Sequence, residues 1–265
     1  MKSGVWRGAV RPWLVETKRL FLRLRRTIWF RRQLATFSSN LVGPDDLWPF
    51  GKLYPCLDDL DDDAGAISGH YFHQDLHVAQ KLFESAPSRH LDIGSRIDGF
   101  VAHVASFRNI DVIDIRPMRS PNNRVNFLQA DFMDHSAVQS LGRWPSVSCL
   151  HALEHFGLGR YGDPLIPNGW LKGIHSLAMV TEEGGVLHLS VPVGKQRIEF
   201  NAHRVFGPRT LLAELSPWFT LTNFAMVDDG GDLLVDIEPD LQLIESKVAL
   251  LEYGCGIFTL VRKSS

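Results

Sequence analysis

Beyond residue 70, the chain alternates short apolar runs with segments in which apolar residues recur every three or four positions. Apolar runs bounded by Gly, Pro, Asn or Asp predict buried strands, and the longer period predicts amphipathic helices. Strands that alternate with helices in this way predict a mostly parallel sheet covered on both faces. The predicted strands are His90–Ile93, Asp111–Ile115, Asn126–Gln129, Ser146–Leu150, Val186–Val191, Phe219–Val227 and Gly256–Val261. The predicted helices are Tyr71–Ser85, Gly99–Phe107, Asp134–Leu141, Trp170–Met179 and Pro208–Leu215.

The last two predicted strands are joined by an acidic connection in which no long helix is predicted. Strands that follow one another without a crossover helix pair antiparallel. We therefore expect an α/β domain over residues 70–265, with a mostly parallel seven-stranded sheet that ends in an antiparallel C-terminal hairpin.

Residues 1–40 form a basic arm that differs from the rest of the chain. They carry ten Lys and Arg residues and one acid, although the whole chain has a net charge of −2. Helical spacing of apolar residues predicts a helix from about Val10 to Gln33, and Trp6, Trp13 and Trp29 add aromatic rings. A cationic amphipathic helix with such rings is typical of segments that lie on an anionic membrane. The alternatives are packing on its own domain, a membrane-bound biosynthetic partner, or a transit peptide.

Charge, cysteine content and hydropathy narrow the remaining possibilities. Residues 41–69 are irregular and acidic, and predict a linker between the arm and the α/β domain. The nearly neutral chain does not predict a nucleic-acid partner. Cys56, Cys149 and Cys255 lie far apart without a CxxC spacing, so we predict no disulfide framework and no metal site, and expect a reducing compartment. No stretch reaches the roughly 18–20 apolar residues of a spanning helix, so the expected location is cytoplasmic, peripheral on the inner face of the membrane if the arm binds lipid.

The first predicted strand runs directly into a glycine turn, HLDIGSRIDGF. In open α/β sheets, ligands bind at such a turn beyond the carboxyl ends of the strands. Asp92 is placed to orient the turn or to accept from a ligand amino group. Gly94 permits the sharp turn and close backbone approach, and Gly94 and Gly99 match the first and third glycines of a dinucleotide-binding fingerprint. Arg96 stands where a glycine-rich fingerprint has a second glycine.

The next strand ends supply further candidate cofactor contacts. Asp114 lies 20 residues after Gly94, where a carboxylate can accept from both hydroxyls of a ribose. Asp131 is placed to accept an adenine amine, with Phe132 or Ile115 covering the ring. His151 follows the fourth strand and is also assigned to the cofactor. A nicotinamide enzyme would account for the glycines and Asp114 but not for the later motifs.

Several long stretches resemble the class I S-adenosylmethionine-dependent methyltransferases, and more closely the family called domain of unknown function 268, which we take to be bacterial. These stretches are GHYFHQDLHVA, HLDIGSRIDGFVAHVASF, VIDIRP, CLHALEHFGLGRYGDP, RIEFNAHRVF, VDDGGD and YGCGIF. The resemblance covers about Leu53 to Val261 and implies a Rossmann-like class I methyltransferase fold, S-adenosylmethionine as cofactor and a role in bacterial surface-polysaccharide synthesis. It also implies that Arg96 either grips the methionine carboxylate or blocks the site.

If the chain transfers a methyl group to a hydroxyl, a base near neutral pKa must take the proton. His155 and His203, after the fourth and fifth strands, are the candidate catalytic residues. The expected contacts to a sugar or lipid-linked glycan acceptor are Arg160, Tyr161, Asn201 and Arg204. His70, His73 and His77 lie on one helical face, and we expect them to close over the cofactor or pack on the sheet; the alternative is that their spacings of three and four present two or three ligands to a metal.

The sequence therefore predicts an S-adenosylmethionine-dependent O-methyltransferase that acts on a sugar or lipid-linked glycan. The alternative is a non-catalytic, methyltransferase-like protein that binds a glycan intermediate or a biosynthetic partner through the same cleft, with Arg96 in the cofactor's place.

Overall fold

The computed structural model describes residues 12–40, 50–61, 64–65, 67–119 and 122–264. The chain divides into two compact units, Met1–Ala66 and Ile67–Ser265. In the first unit, helix α1 spans Pro12–Ser39, so it extends six residues past the predicted end, while the predicted start at Val10 lies outside the described residues. Within the described ranges, no helix combines the length and apolarity needed to cross a bilayer.

In the described part of the second unit, eight strands form one sheet in the order β3-β2-β1-β4-β5-β10-β8-β9. Strands β1 to β5 pair parallel, whereas β10 is inserted antiparallel between β5 and β8. The strands are β1 Leu91–Ile93, β2 Ile110–Asp114, β3 Val125–Gln129, β4 Trp144–Leu150, β5 Thr181–Val193, β8 Phe219–Val227, β9 Leu233–Ile237 and β10 Gly254–Arg262. A separate ribbon pairs β6 Arg197–Glu199 with β7 His203–Val205.

Helices flank this sheet, and apolar side chains fill both faces between them. The helices are α2 His70–Ser85, α3 Ala102–Ala105, α4 His135–Gln139, α5 Gly169–Val180, α6 Pro208–Leu215 and α7 Leu241–Val248. One core cluster includes Val147, Leu187 and Leu177, and the other includes Leu82 and Phe100. The Rossmann-like α/β fold with an antiparallel end is confirmed.

The structure differs from the prediction in several places, among them the unpredicted β6–β7 ribbon and the start of β5 at Thr181 rather than Val186. The sheet has an eighth strand, β9, and helix α7 follows it inside the connection that looked irregular. Helix α7 packs through Ile244 and Val248, which are four residues apart and buried. The helix predicted from Gly99 instead begins with a π turn at Ile97–Val101, because Gly99 has non-helical angles (φ −117°, ψ −111°).

Candidate functional site

A cavity of about 530 Å³, open to solvent, lies at the carboxyl ends of β1 to β4. This is the edge at which open α/β sheets bind ligands. The lining residues are Ile93, Gly94, Ile113, Asp114, Ile115, Arg116, Ala130, Asp131, Phe132, Met133, His151, Ala152, His155, Phe156, Tyr161 and Asp163. Five of these are predicted cofactor residues, and two more are predicted catalytic or acceptor residues.

Gly94 forms the floor of the cavity in a backbone conformation that favours glycine. Its φ is +71°, and a Cβ built there would lie 2.9 Å from the Ala152 Cβ. The Gly94 N–H donates to the Ile113 carbonyl at 2.9 Å, which ties the turn to β2. The turn therefore brings bare backbone against the cavity between β1 and β4.

Asp92 is fully buried beneath this turn and does not line the cavity. Its carboxylate accepts from the Ser95 N–H (3.1 Å), the Ser95 hydroxyl (2.7 Å) and the Ser148 hydroxyl (2.5 Å). Burial raises the pKa of Asp92 to about 7, against the opposing effect of these donors. Of the two roles expected for Asp92, the structure places it to orient the turn.

Asp114, at the end of β2, lines the cavity and is held by Arg116. The Arg116 backbone N–H and Nε donate to Asp114 Oδ1 at 2.8 and 2.9 Å, and Nη2 donates to Oδ2 at 2.5 Å. The Arg116 guanidinium also lies 4.5 Å from the centre of the Tyr161 ring. Since a carboxylate oxygen accepts at more than one lone pair, Asp114 keeps acceptor capacity toward the cavity.

Asp131 and Phe132 line the wall that follows β3. Asp131 Oδ1 accepts from the Met133 N–H at 2.8 Å, which leaves Oδ2 with no partner among the described residues. The ring of Phe132 is buried and makes an edge contact with Phe156, with centroids 6.3 Å apart. This wall pairs an acceptor oxygen with apolar surface, as a purine ring with an exocyclic amine requires.

Arg96 and Gly99 lie outside the cavity lining. The exposed Arg96 guanidinium pairs with Asp98 through Nε and Nη2, at 3.1 and 2.8 Å. Gly99 instead serves packing, since a Cβ there would lie 2.5 Å from Asp75 Oδ2. The Arg96 guanidinium therefore does not fill this cavity.

His151 occupies the exit of β4 with a positive φ of 49° and is buried against Glu154. Its Nδ1 lies 2.7 Å from Glu154 Oε1. Burial opposes a charged imidazole, but Cys255 and Glu154 outweigh it and raise the pKa of His151 well above its ordinary value. Burial likewise opposes the Glu154 carboxylate, but the charge of His151 lowers its pKa. The two buried side chains are therefore joined by a short contact between Nδ1 and Oε1.

His155 lines the cavity with a fixed ring orientation. Its Nδ1 lies 2.7 Å from the Ala202 carbonyl, which can only accept, so the ring donates from Nδ1 and Nε2 carries the lone pair. Nε2 lies 3.8 Å from Glu154 Oε1. Burial lowers the pKa of His155 below its ordinary value, against the effect of Glu154. Burial therefore favours the neutral form of the ring.

The other predicted catalytic and acceptor residues separate into two groups. Tyr161 lines the cavity, whereas Arg160 does not and donates from Nη1 to the Ala202 carbonyl at 3.0 Å. His203, Asn201 and Arg204 do not line the cavity. His203 Nε2 lies 3.0 Å from Glu199 Oε2 on the β6–β7 ribbon, and Asn201 is exposed with a φ of 62° in the turn of that ribbon.

Arg204 is buried and holds the loop after β4 from below. Its guanidinium donates to the carbonyls of Glu154, Phe156 and Pro167, at 3.2, 2.7 and 3.0 Å. Burial lowers its pKa. With its donors on backbone carbonyls, Arg204 positions the segment that carries His155 and does not face the cavity.

Two residues of the site were not selected from the sequence. Arg116 is visible in the VIDIRP stretch, but only the folded turn shows that it holds Asp114 and covers Tyr161. Glu154 is adjacent in sequence to His155, yet its main partner is His151, three residues earlier. A one-turn spacing of His and Glu after a strand is the signal that could have identified this pair.

The fold is that of class I methyltransferases. A putative sarcosine dimethylglycine methyltransferase from Galdieria sulphuraria is 12% identical, with a TM-score of 0.50 over 72% of this chain and 85% of that one. The [4+2]-cyclase SpnF is 15% identical, with a TM-score of 0.50 over 77% of this chain and 86% of that one. The N-methyltransferase NodS from Bradyrhizobium japonicum, in complex with S-adenosyl-L-homocysteine, is 14% identical, with a TM-score of 0.47 over 79% and 92%.

The sequence comparisons correct one expectation. The family described as "Caenorhabditis protein of unknown function, DUF268" matches residues 123–229. The expectation that this family is bacterial is therefore wrong, and the inference of bacterial surface-polysaccharide synthesis that depended on it is withdrawn. The sequence stretches that the chain shares with a family carry no information about the organisms in which the family occurs. No curated protein matches the chain.

Proposed function

We propose that this chain is an S-adenosylmethionine-dependent O-methyltransferase whose acceptor is the hydroxyl of a sugar or lipid-linked glycan. The observation that carries the proposal is the position of His155, which lines the same cavity as Asp114 and Gly94 and whose ring is held at Nδ1 by the Ala202 carbonyl, leaving Nε2 as the proton acceptor. The cofactor end and the base thus share one site.

The residues present fit the cofactor. The bare backbone of Gly94 leaves space that a Cβ would take, so the methionine part can approach the turn closely. Asp114 is placed for the ribose hydroxyls, because its carboxylate ends β2 and faces the cavity. Asp131 and Phe132 offer an acceptor oxygen and an apolar face for the adenine. When bound, the cofactor supplies a methyl group on a positively charged sulfur.

The chain's own residues have two tasks in this reaction. The first is alignment, since holding an acceptor in line with the methyl group supplies a large part of the rate. The second is proton removal: His155 takes the hydroxyl proton on Nε2, and the Ala202 carbonyl steadies the ring through Nδ1. His155 also lies under the Tyr161 ring, with centroids 5.4 Å apart, which keeps water from one side of the base.

The mouth of the cavity supports a polyhydroxylated acceptor. The Tyr161 ring lines the cavity, and the guanidinium groups of Arg116 and Arg160 lie 4.5 and 5.2 Å from its centre. Aromatic faces cover the C–H surface of sugars, while guanidinium groups donate to hydroxyl or phosphate oxygens. These side chains suit a sugar ring that carries a phosphate.

Calorimetry with S-adenosylmethionine and S-adenosylhomocysteine tests the cofactor. We expect micromolar-range binding to the full chain, and about a 10-fold or greater loss for Asp114→Asn, since a hydrogen bond to a charged group contributes about 1.5–3 kcal/mol. The matched control is Asp98→Asn, because Asp98 is exposed, also pairs with an arginine and lies outside the cavity. Absent binding, or equal affinity in both variants, would overturn the proposal.

The acceptor is tested by comparing host glycans with and without this protein by mass spectrometry. We expect one methyl group fewer on a defined sugar when the protein is absent. The His155→Asn variant should still bind the cofactor, but when it is put back into the host that lacks the protein it should not restore the methyl group. Its turnover should fall about 100-fold or more. Unchanged glycan methylation in the absence of the protein would remove the glycan acceptor.

We also propose that the basic arm binds an anionic membrane surface. Support comes from helix α1, where Leu20, Leu24 and Ile28 recur four residues apart and remain 72, 58 and 44% exposed. Exposed apolar side chains among arginines match the pattern of a helix lying in the headgroup region. Deletion of residues 1–40 should release the protein from vesicles that contain an anionic lipid, and equal binding without the arm would contradict this.

A further inference from the structure

Three potential metal ligands meet beside the cavity. One ring nitrogen each of His70 and His151 and the Sγ of Cys255 all lie within 4.8 Å of one another. Tetrahedral zinc bonds of about 2.0–2.1 Å to nitrogen and 2.3 Å to sulfur place such ligand atoms roughly 3.3–3.8 Å apart. The ligand atoms can therefore be up to about 1 Å farther apart than in a zinc-bound site. Rotation of the side chains can close that distance.

Each of the three ligands is supplied by a separate, well-anchored element. His70 is the first residue of α2, and the preceding Gly69 N–H donates to the Gly231 carbonyl at 3.0 Å. His151 lies at the end of β4, where its N–H donates to the Ser190 carbonyl at 3.0 Å. Cys255 lies on β10, between β5 and β8. The sheet therefore fixes two of the ligands, and the helix start fixes the third.

The polar groups around the cluster point to a ligand. Glu154 Oε1 contacts Nδ1 of His151. The other ring nitrogen, Nε2, is buried without a hydrogen-bond partner, and so is the other carboxylate oxygen, Glu154 Oε2. Buried polar atoms without a partner are costly and rare. A carboxylate bound to the far nitrogen of a histidine is the usual outer contact of a metal-binding imidazole, because it orients the ring and raises its basicity.

We propose that His70, His151 and Cys255 bind one zinc ion, with Glu154 as the carboxylate that orients His151. Two imidazoles and one thiolate suit zinc, and three protein ligands leave a fourth position open. Binding releases the thiol proton and any ring proton to solvent. The rings of His70 and His151 are stacked, with centroids 5.3 Å apart and an interplanar angle of 5°. To direct its lone pair at a shared ion, the His70 ring would rotate out of this stack.

The open position has a direct consequence for the acceptor. Of the three ligands, His151 lines the cavity and His70 and Cys255 do not, so a fourth ligand that entered past His151 would come from the side on which the acceptor hydroxyl would lie. An oxygen bound to zinc loses its proton at a far lower pH than a free one, which would assist His155. This consequence rests on the proposed function, whereas the metal site itself does not.

The test uses the metal-free full chain titrated with cobalt(II), which reports thiolate and tetrahedral coordination in its absorption spectrum. We expect one equivalent to give a sulfur-to-cobalt charge-transfer band that one equivalent of zinc abolishes. Cys255→Ser should remove the band, and His70→Ala should weaken binding at least 100-fold. Glu154→Gln should weaken it about 10- to 100-fold.

Matched controls separate ligation from folding. Cys149→Ser replaces the other buried cysteine, and His77→Ala removes another half-buried histidine of α2, whose Nε2 also has no partner. Both should leave the cobalt band unchanged. If Cys255→Ser does not fold, His70→Ala carries the test. A band that survives His70→Ala, or no cobalt binding by the wild type, would overturn the site.

Calorimetry with S-adenosylmethionine on the same samples distinguishes the two proposals. Metal binding without cofactor binding would support the metal site and overturn the methyltransferase. Cofactor binding without metal binding would overturn the metal site alone.

Discussion

Replacing Gly94 with alanine tests whether the turn after β1 needs glycine both for its backbone angles and for its close contact with β4. A left-handed φ costs a residue with a Cβ about 1–2 kcal/mol, and Gly94 has a φ of +71°. The new Cβ would also lie 2.9 Å from the Ala152 Cβ, below ordinary contact distance. Relieving such an overlap in a packed region typically costs about 1–3 kcal/mol. We expect Gly94→Ala to lower the free energy of unfolding by about 2–5 kcal/mol.

Gly142 provides the matched control for this substitution. It also has a positive φ, +93°, but nothing lies within 4 Å of its built Cβ. Gly142→Ala should therefore cost only the backbone part, about 1–2 kcal/mol. The double variant Gly94→Ala with Ala152→Gly should recover most of the steric part, since it removes the opposing methyl group.

Urea denaturation and calorimetry with S-adenosylmethionine measure the outcome. Cofactor affinity should fall in Gly94→Ala, because relief of the overlap displaces the turn into the cavity, and should be unchanged in Gly142→Ala. If both alanine variants lose the same stability and both bind the cofactor as the wild type does, the contact with Ala152 has no energetic role. The reasoning from close approach would then be wrong.

Two further predictions concern buried charge. Because the pKa of Asp92 is raised to about 7 in the fold, its stabilising contribution is complete below about pH 3.8 and is lost as the pH rises to about 7. Relative to Asp92→Asn, the wild type should lose up to about 4 kcal/mol of unfolding free energy between pH 4 and 8; a difference that does not vary with pH would contradict this. Arg204→Met should lower the free energy of unfolding by about 2–4 kcal/mol, because three backbone carbonyls lose their donor. The control is Arg209→Met, which removes an exposed ion pair with Glu245. It should change the free energy of unfolding by less than about 1 kcal/mol. Equal urea midpoints for the two arginine variants would refute the role given to Arg204.

The fold could be predicted because its signals are local. Short apolar runs and helical spacing lie within single elements, and the parallel strands β1, β2 and β4 are mostly buried. The eighth strand was missed because Leu233–Ile237 is short and lies at the sheet edge, with Val235 and Asp236 exposed. Helix α7 was missed because its eight residues carry only two buried positions in an acidic context.

The site was predicted less completely, because its chemistry depends on contacts between distant segments. The strand ends identified Asp114 and Asp131, since the carboxyl ends of parallel strands share one edge. The sequence could not show that Arg204 turns inward to three carbonyls or that Asp92 lies under its turn. The proximity of Cys255 and His70 could not be predicted either, because the two residues are 185 positions apart in the sequence. They come together only because β10 is inserted antiparallel beside β5.

The position of β10 constrains the order of folding during synthesis. Strands β5 and β8 are both made before β10, and each pairs with it along most of its length. Until Gly254–Arg262 emerges from the ribosome, the two halves of the sheet cannot join, and two apolar strand edges stay open. Such edges pair readily with other chains. Nascent chains that stop before β10 are therefore expected to depend on chaperones, and a premature stop codon there should cause aggregation rather than a partly active domain.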